Sequence, residues 1–227
     1  MICHPWYPLS FWSGVKTMAK LLLVRHAERP YIPANTVGNE VRLTAKGKAD
    51  TRNFAQSISG PVVSIHSSPI GRCRQTAEII AEVVGFNSKN IVSNRDLGDP
   101  GYIIQDGREA WKHWQSKGSS VVNDYLLRGD SRWSGFHDLN KVTCQFLEII
   151  RSNLECAKEG THVWITHDTI LATFASRVLP NYLNMGQWPG FLGYVSIEIS
   201  KGDLEVKYFQ IPGKEVGFGI FRGGVGR

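Results

Sequence analysis

Three short apolar runs, Leu21-Leu22-Leu23-Val24, Val62-Val63-Ser64-Ile65 and Val163-Trp164-Ile165, each give way within a few residues to ionisable or hydroxyl side chains. Leu21-Leu22-Leu23-Val24, unbroken by a polar residue, has the pattern of a strand buried on both faces of a parallel sheet, and the other two runs also read as strands. Parallel strands need crossovers, and the intervening segments supply them as helices. One helix opens at Leu43-Thr44-Ala45-Lys46-Gly47 with Thr44 as N-cap and runs through Ser57. A second follows Ser67-Ser68-Pro69 and carries Ala77, Ile80, Ala81 and Val84 at helical spacing. From His137 to Ala157, Leu139, Val142, Phe146, Ile149, Ile150 and Leu154 form an amphipathic stripe read as core packing. A further helix starts after Thr166-His167-Asp168, and strands near 192–199 and 204–210 form an antiparallel hairpin about Lys201-Gly202-Asp203.

Alternating strands and helices with no internal repeat give an α/β fold: a three-layer sandwich with a mostly parallel central sheet and helices on both faces. Residues 86–136 are weakly periodic and contain Gly and Trp, so they read as a small cap insertion with short helices at 107–117 and 119–127. The 227 residues fit one domain over 18–211. Met18-Ala19-Lys20 directly precedes the first strand, so residues 1–17 are expected to be an extension outside the fold, and because Pro5, Pro8, Ser10, Ser13 and Gly14 interrupt their apolar residues no signal peptide is expected. The Gly-rich end, 212–227, is expected to be a surface tail.

Composition narrows the partners. At 42% hydrophobic and 20% charged residues the chain is far from the signature of disorder. The net charge of +6, from 26 Lys+Arg against 20 Asp+Glu, raises the question of an anionic partner. The basic residues are scattered from Lys16 to Arg227 without a like-charge run, which argues against nucleic acid. No stretch approaches ~18 consecutive apolar residues, so no membrane span is expected. Cys3, Cys73, Cys144 and Cys156 lie far apart, with neither disulfide-framework nor zinc-type spacing, and this points to the cytoplasm and to no structural metal.

The strand ends carry the chemistry. Arg25-His26-x-x-Arg29, the loop leading to Arg72, and His167-Asp168 all follow predicted strands, and right-handed crossovers place such ends along one edge of the sheet. Three guanidiniums, two imidazoles and a carboxylate suit a phosphoryl group. No Gly-rich phosphate loop and no carboxylate cluster for magnesium is present, so the chemistry calls for a side-chain nucleophile, which a neutral histidine nitrogen supplies. Cys73 is not that nucleophile, since no C-x5-R cradle surrounds it. Trp111 and Trp114 read first as packing within the cap, with a substrate-facing role as the alternative, and His4, His66, His113, His137 and His162 read as surface or packing residues.

Leu22-Leu23-Val24-Arg25-His26-Ala27-Glu28, Leu43-Thr44-x-x-Gly47, Ser67-Ser68-Pro69-x-x-Arg72-Cys73-x-Gln75-Thr76-Ala77 and Thr166-His167-Asp168 resemble the histidine phosphatase superfamily, the phosphoglycerate mutase-like fold, over about residues 20–178. The resemblance implies that His26 is the phosphorylated nucleophile, Arg25 and Arg72 are phosphate clamps, His167 contacts the transferring group, and no metal or other cofactor takes part. Ala27 replaces the glycine usual after the nucleophile. The His-Asp motif and Arg29, at the place of the second arginine in the RHGxR form, resemble the acid phosphatase and phytase branch and imply Asp168 as general acid. The rival is Asp99, near where the mutase-like branch carries its acidic residue. The leading expectation is a metal-independent phosphomonoester phosphatase acting on a small phosphorylated substrate or a phosphoprotein. A phosphoglycerate mutase-type phosphoryl transferase and a non-catalytic phosphate- or phosphoprotein-binding module are the alternatives.

Overall fold

A computed structural model describes residues 19–33, 36 and 38–222, so the extension expected over residues 1–17 lies outside the described residues. Strand β1 (Lys20–Arg25) sits inside the sheet, and its alternation divides the core. Leu21 and Leu23 point into one apolar cluster, Leu22 and Val24 into another, as the two-residue period of a strand requires. Helices α1 (Ala45–Gln56) and α2 (Gly71–Val84) cover the second cluster through Phe54, Ala77 and Ile80. Helices α4 (Leu139–Cys156) and α5 (Asp168–Val178) cover the first through Phe146, Ile150 and Phe174. The α4 stripe is narrower than its spacing suggested, since Ile149 faces outward.

Strands β2 (Val62–Ser67), β3 (Val92–Ser93), β4 (Thr161–Thr166), β5 (Tyr194–Ser200), β6 (Asp203–Ile211) and β7 (Lys214–Phe221) complete a seven-stranded sheet in the order β3-β2-β4-β1-β5-β6-β7. β3, β2, β4 and β1 run parallel, and β5, β6 and β7 are antiparallel. The short edge strand β3 belongs to the segment read as a cap. Beyond it, helix α3 (Gly107–Arg128) is broken at Gly118, whose φ of 79° and ψ of 164° separate the two helical pieces expected there. Among the described residues no helix is long and apolar enough to cross a membrane.

The expected tail is a correction. Residues 214–221 form the edge strand β7, paired with β6 from Lys214 to Phe221. Gly217 and Gly219 hid it, because glycine inside a strand pattern reads as loop. Their role is close approach: a Cβ at 217 would lie 2.8 Å from a Leu179 methyl, and one at 219 would lie 2.8 Å from the Val178 carbonyl oxygen. Strand and helix end can meet only where the side chains are missing.

Candidate active site

The order β2-β4-β1 places the strand ends side by side. Arg25 on β1 is level with Thr166 on β4, and Ser67 on β2 with Ile165. Two backbone bonds continue this register past the strands, from His26 N–H to the Thr166 carbonyl (2.9 Å) and from Ser68 N–H to the Ile165 carbonyl (3.0 Å). His26, His167 and Ser68 therefore emerge together, beside the N-termini of α2 and α5, where the positive ends of two helix dipoles favour an anion.

His26 is buried, and its Nδ1 lies 2.8 Å from the Ala27 carbonyl. A carbonyl only accepts, so Nδ1 carries the proton and Nε2 keeps its lone pair. Arg72 Nε donates to that Nε2 at 3.1 Å. The other arm of Arg72 reaches His167 Nδ1 at 3.2 Å, and its Nη1 donates to the Gly38 carbonyl at 3.0 Å. His167 Nε2 then faces the Ser68 hydroxyl at 3.0 Å. Burial, with His167, Arg25 and Arg72 close by, lowers the pKa of His26 well below the usual histidine range. His167 falls to about 3, chiefly through burial and the Arg72 charge. Both imidazoles are neutral, and the two rings stand 5.4 Å apart.

Arg25 is buried and triply held. Its Nη2 is 2.9 Å from Asp168 Oδ2, its Nη1 donates to the Pro189 carbonyl, and its guanidinium lies 4.3 Å over the Phe191 ring. Burial alone would raise the pKa of Asp168, but Arg25 outweighs it and, with the Thr169 N–H, holds the carboxyl at about 2. Asp168 is thus an ionised partner of Arg25. Arg29 joins the same field: the charges of Arg72, Asp168 and Arg25 all act on it, and its Nη1 donates to the Pro30 carbonyl at 2.9 Å. Glu28 does not neutralise Arg29, because Thr44 Oγ1 donates to it at 2.8 Å and Lys46 approaches it at 3.9 Å. The Nε groups of both Arg25 and Arg29 are buried with no protein acceptor. Buried donors without a partner are rare, and here two of them lie among three guanidiniums opposed by the Asp168 carboxylate.

The remaining motif residues build the site and do not line it. Thr76 accepts a hydrogen bond from Ala27 N–H (3.2 Å), and Gln75 from Leu43 N–H (2.9 Å). Gly47 allows α1 to pass the loop that follows β1, since a Cβ there would lie 2.3 Å from the Glu28 carbonyl oxygen. Cys73 is fully buried against His167, and desolvation pushes its thiol up to about 12, which leaves it un-ionised.

A cleft of about 310 Å³ opens from Arg72 and His167 toward α3, lined also by Asp99, Trp111 and Trp114. The tryptophans, read first as cap packing with a substrate-facing role as the alternative, do both: Trp114 packs on Phe136 and the pair lines the cleft. The loop bearing Asp99 is pinned to the strand ends, as Thr166 Oγ1 donates to the Leu97 carbonyl (2.7 Å) and Ser68 Oγ to that of Gly98 (3.3 Å). Gly98, at φ 139°, packs so closely that a Cβ would lie 2.3 Å from the His167 ring. Asp99 thereby lines the cleft, its Oδ2 3.9 Å from Arg95 Nη2, whereas Asp168 does not line it. Phe191, Pro189, Ser68 and Gly98 escaped sequence reasoning. Only the Gly98-Asp99-Pro100-Gly101 turn signal marked any of them.

The histidine phosphatase superfamily (branch 1) profile matches residues 21–209. A structure of Entamoeba histolytica phosphoserine phosphatase in complex with 3-phosphoglyceric acid is similar at 20% identity and TM-score 0.54, covering 90% of this chain and 97% of that one. A native mycobacterial glucosyl-3-phosphoglycerate phosphatase is similar at 16% identity and TM-score 0.54, covering 79% and 89%. YhfR of Bacillus stearothermophilus is similar at 19% identity and TM-score 0.53, covering 81% and 93%. No curated protein sequence matches the chain.

Proposed function

Because the chain belongs to the histidine phosphatase superfamily, we propose that it is a phosphomonoester phosphatase working through a phosphohistidine on His26. The observation that carries this reading is a neutral imidazole whose Nε2 accepts from Arg72 in the field of Arg25, with Arg29 close to both arginines and buried, unpartnered N–H groups on Arg25 and Arg29. Arg25, Arg29 and Arg72 hold the phosphoryl oxygens, and His167, neutral and fixed by Ser68 and Arg72, adds a contact. Nε2 of His26 attacks phosphorus as the bond to the ester oxygen breaks. The leaving alkoxide takes a proton from a carboxyl group, and water then attacks phosphorus, returning the lone pair to Nε2 and a proton to that carboxylate.

His167-Asp168 matches the HD pattern of the acid phosphatase and phytase branch, yet two features favour Asp99 as the donor. Asp168 is held ionised by Arg25, and Asp99 lines the cleft where a leaving group sits. Asp168 becomes a positioning residue for Arg25. The three guanidiniums supply the charge stabilisation that a metal would otherwise give. The similar folds of two phosphatases favour hydrolysis over phosphoryl return to the substrate. Free Cys73, Cys144 and Cys156 are consistent with a cytoplasmic site of action.

The test is rapid quench with a ³²P-labelled monoester in the presence of EDTA. An acid-labile, base-stable phosphoenzyme that turns over to inorganic phosphate, and is absent in His26→Ala, is expected. A phosphoenzyme that is stable to water and discharges only to an acceptor alcohol would establish a mutase instead. Activity that disappears in EDTA and returns with a divalent ion would refute the metal-free reading.

A further inference from the structure

The walls of the cleft differ in character from its floor. Ile70, Ile103, Ile104, Ile170, Trp111 and Trp114 make it apolar, and its charged lining consists of Arg72 and Asp99. Both are committed. Arg72 is engaged by His26, His167 and Gly38, and the Asp99 carboxyl, 3.9 Å from Arg95 Nη2, brings no positive charge to the lining. A leaving group bearing a carboxylate or a second phosphate would therefore enter apolar walls where, among the described lining residues, no uncommitted cation meets it, which is costly.

Shape adds to charge. Trp111 and Trp114, three residues apart on α3, share one helical face with ring centroids 6.2 Å apart and planes inclined by 26°. Trp114 is backed by Phe136 at 5.7 Å, so the indole wall is buttressed from the core. A cleft of about 310 Å³ is at the small end of small-molecule sites, room for a ring system and little more.

Building on the phosphatase reading, we infer that the preferred substrates are free phosphomonoesters of uncharged, ring-bearing alcohols or phenols, with the ring against Trp111 and Trp114. Esters of hydroxy acids such as 3-phosphoglycerate or phosphoserine are poor substrates. Asn39 and Thr169, neutral polar residues of the lining beside His167, can hold a hydroxyl or carbonyl on such a ring but not balance a charge.

The experiment compares kcat/KM within pairs matched in leaving-group acidity. Against phenyl phosphate, 2-naphthyl phosphate should be favoured about tenfold or more, because the second ring fills the apolar cleft. Among alkyl esters, 2-phenylethyl phosphate should exceed 3-phosphoglycerate and phosphoserine by about a hundredfold. Trp111→Ala should bring the naphthyl-to-phenyl ratio to within about threefold of unity, and Trp111→Phe should restore most of it. Equal or greater use of 3-phosphoglycerate or phosphoserine, or a ratio unchanged in Trp111→Ala, would overturn the inference. A phosphotyrosyl peptide hydrolysed better than 2-naphthyl phosphate would overturn the assignment to free esters. Calorimetry with 2-naphthylmethylphosphonate and phosphonoacetate reads the same preference without turnover. Retained preference with no hydrolysis would refute the phosphatase reading and support the cleft assignment, while no preference would refute the latter.

Discussion

Replacing Asp99 by Asn separates the two carboxylates by what they do to different leaving groups. Asp99 lines the cleft beside Arg72 and His167, with 45% of its side chain exposed. Removal of a general acid typically costs ~10²–10⁴-fold, and water that reaches a half-exposed position replaces part of the loss. The expected fall in kcat/KM is thus at the low end, about 10²-fold, for 2-phenylethyl phosphate, whose alkoxide cannot leave unprotonated. For p-nitrophenyl phosphate, whose phenolate needs no proton, it should stay within about threefold. Asp168→Asn should behave otherwise. It removes the charge 2.9 Å from Arg25 Nη2, but Pro189 and Phe191 still hold that guanidinium. One weakened charge-assisted hydrogen bond, about 1.5–3 kcal/mol at most, makes about a tenfold loss reasonable, equal for both substrates because the clamp and not the leaving group is affected. The assay must report kcat/KM, which contains the first phosphoryl transfer for both esters, since phosphoenzyme hydrolysis can limit kcat. Should the leaving-group-dependent loss appear in Asp168→Asn and not in Asp99→Asn, the donor assignment is refuted and the HD pattern carries the proton.

Gly98→Ala places a Cβ 2.3 Å from the His167 ring at a φ of 139°, so it should destabilise the fold by about 2–5 kcal/mol and lower kcat for p-nitrophenyl phosphate at least tenfold; wild-type kcat in a folded variant would refute the packing argument. His26 and His167 are neutral when folded, with pKa values lowered chiefly by burial, so below the unfolded value of about 6.5 the unfolded chain binds more protons and stability falls with pH. Urea unfolding at pH 7.5, 6.0 and 5.0 in phosphate-free buffer should show that fall, up to about 1.4 kcal/mol per pH unit for each histidine, and a flat profile would contradict it. Iodoacetamide at pH 8 should modify exposed Cys144 and Cys156 by mass spectrometry while Cys73, buried and un-ionised, stays unmodified until the chain unfolds.

Much of this protein was legible locally. The strands β1, β2 and β4, the Thr44-capped helix and the antiparallel pair near the end follow from runs, periods and caps, which are short-range properties of the chain. So does the presence of chemistry just past the strands, because parallel sheets with right-handed crossovers leave those ends on one edge. Two kinds of fact were not legible. Gly217 and Gly219 disguised a strand, since their value lies in a neighbour, the end of α5, that is distant in sequence. The motif favoured Asp168 over Asp99 as the acid, and the contacts that weigh the other way, Arg25 against Asp168 and the cleft beside Asp99, join residues distant in sequence. The same holds for Phe191 over Arg25, Gly98 under His167 and the tryptophans at the cleft. Sequence by itself determined that guanidiniums, imidazoles and a carboxylate follow the strands. Only tertiary structure decided their protonation and direction, because desolvation and Coulomb energy depend on separations that pairings such as Arg25 with Thr166 set across the sheet.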